Sequence, residues 1–159
     1  MNLILNANEL SLHDISLTDK KRNVVIDGSF TKIIYSNDNV VLSGIYINVP
    51  FVSLKLVNCD NEKSLQCNSS DPNNMRIIQE LSKLEYQLLD YYKKFNNLHS
   101  NISTSMSRRL QSGKFKISSI NNVYLNENMK MVVKISGIWE TVNEIGLAVK
   151  FVPVQNILL

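Results

Sequence analysis

Asp71-Pro72-Asn73-Asn74-Met75-Arg76-Ile77-Ile78-Gln79-Glu80-Leu81-Ser82-Lys83-Leu84-Glu85-Tyr86-Gln87-Leu88-Leu89-Asp90-Tyr91-Tyr92-Lys93-Lys94-Phe95 is the stretch around which the rest of the chain is read. Asp71 is an N-cap acceptor, and Pro72 suits the first turn because its missing N–H removes no helical hydrogen bond. Ile77, Ile78, Leu81, Leu84, Leu88, Tyr91, Tyr92 and Phe95 then recur at three- and four-residue spacing. That spacing gathers them on one side of a helix, assigned to residues 72–97. Its carboxylates, Glu80 and Glu85 among them, read as the solvated side.

On both sides of this helix the pattern changes to period two. After an N-terminal segment (1–21), residues 22–57 are rich in β-branched and aromatic side chains. Asn23 to Tyr35 and Val40 to Val49, joined by Ser36-Asn37-Asp38-Asn39, read as a hairpin. Pro50 ends the second strand, and Phe51 to Val57 offers a third. Residues 58–71, rich in Asn, Ser and Asp, read as a loop. A short helix is expected over 101–112, with Ile102, Met106 and Leu110 spaced by four and Gly113 placed to end it. Strands return over 114–154: Phe115, Ile117 and Ser119 share one face, Met131, Val133 and Ile135 alternate with Lys130, Val132 and Lys134, and Leu147 to Val154 forms the last. Gly137 and Gly146 flank a polar loop, Glu140 to Glu144, which suggests another hairpin. The order strands, helix, strands predicts a β-rich α+β domain: an antiparallel Greek-key sheet or small barrel with one long inserted amphipathic helix.

The chain has 159 residues, 44% hydrophobic and 19% charged, enough for one domain with a sizeable core that needs no disulfide or metal for stability. No apolar run approaches the length of a membrane span, and the first residues lack the pattern of a signal peptide, so the expected setting is intracellular with no membrane partner. The net charge of +3 conceals an asymmetry. Residues 1–92 carry 8 Lys/Arg against 11 Asp/Glu, whereas residues 93–159 carry 9 against Glu127, Glu140 and Glu144 alone. A half-chain so poor in acids is a candidate for contact with polyanions, or simply a solvated basic surface.

The residues of catalytic and metal sites are sparse. His13 and His99 have no Cys, Asp or Glu at ligand spacing, and Cys59 and Cys67 stand eight apart with no second pair, so they read as free thiols. No glycine-rich phosphate loop occurs. Scattered carboxylates such as Asp14, Asp19 and Glu80 with Glu85 form no acid–base pair. Neither an enzyme nor a cofactor is expected.

What remains is lysine interleaved with aromatics: Lys32 near Tyr35, Lys114 and Lys116 about Phe115, Lys134 near Trp139, and Lys150 beside Phe151. Each pair taken alone is explained by a strand with Phe in the core and Lys in water. Several on one sheet would instead build a basic face, with Tyr35, Tyr46 or Trp139 available to stack on unpaired bases. Arg108 and Arg109 add forks that match phosphate oxygens.

Residues 30–47, Phe30-Thr31-Lys32-Ile33-Ile34-Tyr35 through Gly44-Ile45-Tyr46-Ile47, resemble proteins of large DNA viruses and related virus-like elements. So do Lys134-Ile135-Ser136-Gly137-Ile138-Trp139-Glu140 and Gly146 to Phe151. The resemblance is to their single-stranded-DNA-binding proteins of oligonucleotide/oligosaccharide-binding (OB) fold. It implies a Greek-key barrel with the helix inserted between strands, a basic aromatic-bearing binding face, and work in the host nucleus or a viral replication compartment beside viral replication proteins. One departure is the apolar ending Pro153 to Leu159, where proteins of this functional type commonly carry an acidic tail.

The leading expectation is a non-enzymatic protein that coats single-stranded DNA or RNA. Its expected contacts are Lys32, Tyr35, Tyr46, Arg108, Arg109, Lys114, Lys116, Lys134, Trp139 and Lys150. The alternative is a virion or scaffold protein that self-assembles as a homo-oligomer through its sheets and its apolar C-terminus.

Overall fold

A computed structural model of the protein describes residues 3–117 and 129–155. Four short strands and a long one open the chain: β1 (Ile4–Leu5), β2 (Ile15–Leu17), β3 (Lys21–Arg22), β4 (Ser29–Ser36) and β5 (Val41–Ser43). They are followed by β6 (Ile45–Val49), β7 (Lys55–Cys59) and β8 (Glu62–Gln66). The long helix α1 (Pro72–Asn96) leads into β9 (Asn101–Ser103), the short helix α2 (Ser105–Ser112) and β10 (Lys114–Lys116). The chain returns through two twelve-residue strands, β11 (Met129–Glu140) and β12 (Glu144–Gln155). This is a β-rich α+β fold.

Helix α1 starts as its sequence dictates. The Asp71 carboxylate accepts from the backbone N–H groups of Asn73 and Asn74, Pro72 follows, and Asn97 closes the far end in the left-handed conformation. Ile77, Ile78, Leu81, Leu84, Leu88 and Tyr92 are buried as expected. Phe95 is not: it is exposed and stacks on Tyr91 at 6.2 Å, while Leu89, fully buried, completes the inner stripe. Of the carboxylates expected on the solvated side, Glu80 is exposed, but Glu85 has no exposed surface.

The main sheet is open and mixed, correcting the all-antiparallel expectation. Its centre is the antiparallel β11–β12 hairpin, but β1 joins β6 and β9 joins β12 in parallel. Along one edge, β11 pairs with β6 from Met131 to Ile135 and then with β4 from Gly137 to Glu140. The change of partner coincides with a bulge between Ile135 and Gly137. Strands β5 and β6 make the matching switch, β5 pairing with β4 and β6 with β11. Gly44 stands between them with φ +87°, its N–H donating to Ile33 O at 2.9 Å. Only glycine adopts that φ without strain, so Gly44 lets one strand serve two partners. Three strands therefore meet at Ile33, Gly44 and Ser136, which brings distant lysines onto one surface.

Three sequence assignments change in detail. Residues 58–71 contain most of a hairpin, because β7 and β8 are joined by Asp60 and Asn61, both with positive φ, as a tight two-residue hairpin turn requires. Its polar composition hides the strands, and in β8 only Leu65 is buried. With β10 they form a separate three-stranded sheet. The expected helix over 101–112 is shorter, since Asn101–Ser103 is strand and α2 begins at Ser105. The third strand expected from Phe51 begins at Lys55, because the Asn74 side chain pins the preceding turn, accepting from Val52 N at 2.8 Å and donating to Val52 O at 3.2 Å. Ser119 and the chain beyond Gln155 lie outside the described residues.

Candidate nucleic-acid interface

Register decides which side chains share a surface, because cross-strand partners point the same way and neighbours along a strand point oppositely. One face of the β4–β6–β11–β12 sheet carries Ile33, Ile45, Ile47, Met131, Val133, Ile135, Ile138, Leu147 and Phe151, all buried in the core with the α1 stripe. The opposite face is built of rungs. Tyr46, Lys134 and Lys150 are direct partners across β6, β11 and β12. Lys32, Gly137 and Ala148 form the rung on one side, followed by Phe30, Trp139 and Gly146. Asn48, Val132 and Val152 lie on the other side, then Lys130 opposite Val154.

This outer face is positively charged and bears aromatics. Lys134 holds its ammonium 5.4 Å from the centre of the Tyr46 ring, within cation–π range. Among the described residues, Lys32, Lys130, Lys134 and Lys150 make no ion pair, whereas Lys20, Lys94 and Lys116 each have a carboxylate partner. The aromatic end depends on two glycines. A Cβ at Gly146 would enter the Trp139 indole, and one at Gly137 would enter the Phe30 ring, so both rings lie against bare backbone. Beside them opens a cleft of about 540 Å³, flanked by the loop from Asn23 to Gly28 and by the tip of the β11–β12 hairpin.

The structure thus brings together Lys32, Tyr46, Lys134, Trp139 and Lys150 from the sequence-derived set, and separates the others. Tyr35 is a correction: it sits on the inner face of β4, 4% exposed, where it can stack on nothing from outside, and its hydroxyl accepts from Asn37 Nδ2 at 3.2 Å. Nearness in sequence groups it with Lys32, but an odd spacing of three puts the two on opposite faces. Lys114 and Lys116 belong to the small second sheet, and Lys116 is paired with Glu62 at 3.2 Å. Arg109 lies over the Phe151 ring at 4.6 Å and reaches Val149 O, on the core side of β12, where burial pushes its pKa down. Arg108 donates to Ser103 Oγ at 3.4 Å. Phe30, Lys130 and Asn48 were missed, although strict alternation from Lys32, Lys134 and Tyr46 places each on the same face.

A second polar cluster lies at the opposite, core-facing side. The Tyr92 hydroxyl donates to Glu140 Oε2 at 2.9 Å and meets Thr31 Oγ1 at 3.1 Å, and Lys20 reaches the same carboxylate oxygen at 2.8 Å. The hydrogen bond to Glu140 raises the Lys20 pKa, and burial raises that of Tyr92. These groups tie the N-terminal segment, α1 and the sheet together, each satisfying another. Cys59 and Cys67 stand at opposite ends of the β7–β8 hairpin, roughly 15 Å apart by strand rise, beyond the reach of a disulfide. Among the described residues no three metal-ligating side chains cluster.

Compared with family models, curated proteins and solved structures, the chain matches none.

Proposed function

We propose that this protein is a non-enzymatic single-stranded nucleic-acid-binding protein whose ligand lies across the outer face of the β4–β6–β11–β12 sheet. The observation that carries the reading is the Tyr46–Lys134–Lys150 rung, continuous with Lys32 and the Phe30–Trp139 pair on one surface. Lysines without carboxylate partners hold phosphates and release their counterions, while aromatic rings on a sheet face stack with bases of any identity. A duplex hides its base faces, so single strands are the form this surface suits.

In the same reading the fold is an opened variant of the OB-like Greek-key barrel. Gly44 and the bulge before Gly137 bend β5–β6 and β11 around one another as barrel strands do. Coating of DNA during viral replication or recombination is the role that agrees with the resemblance of residues 30–47 and 134–151.

The test is a fluorescence-anisotropy titration of a single-stranded oligonucleotide and its duplex at two salt concentrations. With Lys32, Lys130, Lys134 and Lys150 on phosphates, log K should fall with log salt at a slope of about −3. Trp139, the one tryptophan, should change its emission on binding. A protein that ignores single-stranded DNA at low salt, or binds duplex equally well, refutes the proposal. Oligomeric state measured in the same samples separates coating from the self-assembling scaffold alternative, which requires stable oligomers with no nucleic acid present.

A further inference from the structure

The cleft beside Trp139 has a chemistry that sequence-tolerant coating does not need. Phe30, Trp139 and Ala148, with Val25 and Ile26 of the facing loop, supply its apolar wall, and Asn23, Thr141 and Glu144 line its polar side. Its volume of about 540 Å³ falls in the range of small-molecule sites and greatly exceeds the space a side chain would fill. Glu144 lies two and four residues before Gly146 and Ala148 on β12, hence on their face. Among the described residues its carboxylate has no hydrogen-bond or ion-pair partner. Its backbone is fixed instead: Thr141 Oγ1 accepts from Glu144 N at 3.1 Å, and Thr141 N donates to Glu144 O at 2.8 Å. Asn23 uses its side-chain oxygen to accept from Val25 N at 3.0 Å, which leaves its amide N–H groups as donors.

We infer that this cleft is a base-selective subsite that takes an unpaired guanine. The inference rests on the nucleic-acid reading above and gives it one specific position. A carboxylate can only accept hydrogen bonds, and it repels phosphate, so what it receives from a nucleotide is a base edge with N–H donors. Guanine alone offers two adjacent donors, N1–H and the N2 amino group, matching the two carboxylate oxygens. In adenine and cytosine the amino group adjoins a ring-nitrogen acceptor, and in thymine the N3–H lies between two carbonyls. Guanine also carries O6 and N7 acceptors, suited to the Asn23 amide. Phe30 and Trp139 provide the stacking surface, and Lys32, on the neighbouring rung, provides for the phosphate. Lys32 on that rung also disfavours a cationic occupant, the other ligand that an aromatic ring beside a carboxylate could hold.

The experiment compares four oligothymidylates that differ only at one central base, together with free guanosine, adenosine, cytidine and thymidine monophosphates read by Trp139 fluorescence. Wild-type protein should bind the guanine oligonucleotide about ten-fold more tightly than the all-thymine one, and only guanosine monophosphate should quench Trp139 at millimolar concentration. Glu144→Gln, at an exposed position, should abolish the preference while leaving all-thymine affinity within two-fold. Equal affinity for the four oligonucleotides, a preference that survives Glu144→Gln, or quenching by tetramethylammonium rather than by guanosine monophosphate overturns the guanine site. The first of these leaves the general coating function standing. Quenching by guanosine monophosphate in a protein that binds no oligonucleotide supports the site and overturns the coating instead.

Discussion

Lys134 and Lys150 are direct partners across the β11–β12 ladder, like charge facing like charge on the outer surface of the sheet. Such a pair costs stability, and the chain carries it where an acid at either position would have been favourable. Lys150→Glu should therefore raise the unfolding free energy by about 0.5 kcal/mol in a denaturant titration. It should also weaken single-stranded DNA at low salt by about ten-fold. A variant that gains stability and keeps full affinity would show that the rung is surface without ligand.

The N-terminus of α2 is capped from outside its own sequence. Thr104, at the N-cap, gives no side-chain hydrogen bond. Glu85 of α1 does the work: its two oxygens accept from Met106 N and Ser107 N at 2.9 Å each, and Ser107 Oγ donates to it as well. Truncation would strand buried donors, so Glu85→Ala should lose about 3 kcal/mol in chemical denaturation. Glu85→Gln, which keeps one acceptor but turns an amide N–H toward a backbone N–H, should fall between that and wild type. Because Glu85 lies away from the outer face, folded Glu85→Gln protein should bind DNA normally.

Glu85 also marks the limit of what the local pattern shows. The 3.6-residue period locates α1 and most of its inner stripe, yet a single glutamate between apolar turns looks solvated until α2 is known to start against it. Period-two alternation assigns Lys134, Lys150, Tyr46 and Trp139 to their strands, but which strand lies beside which is a long-range choice with no local signature. Gly44 carries the strand switch, and its positive φ is a property of the assembled junction. Tyr35 answers to parity rather than nearness: three residues from Lys32 on one strand, it faces the core. Strand β8 was hidden because a polar strand pairing with two neighbours resembles a loop in composition.

Gly146 offers a way to disturb the aromatic end without touching charge. Any side chain there displaces the Trp139 indole, since the ring occupies the Cβ position. Gly146→Ala should shift Trp139 emission in the free protein and reduce the oligonucleotide-induced change by at least half. The salt slope should stay within experimental error of wild type, because the lysines remain. An unchanged emission spectrum would contradict the packing of Trp139 on Gly146.

Alkali should loosen the fold through the Lys20–Glu140–Tyr92 cluster. Lys20 is raised above its ordinary 10.5, first by its hydrogen bond to Glu140, and Tyr92 above its ordinary 10.0, first by burial. In both cases the folded state holds its proton more tightly than the unfolded chain. The associated stability is fully present below the unfolded values and is lost as pH rises through the folded ones. Melting temperature should therefore decline from about pH 10 upward. Tyr92→Phe removes one titrating group together with its bonds to Glu140 and Thr31, at a cost of about 1 kcal/mol at neutral pH. Its melting temperature should start lower at pH 8 and then fall less steeply toward pH 11 than that of wild type. Parallel declines in the two proteins would show that Tyr92 does not contribute to the alkaline transition and that other groups drive it.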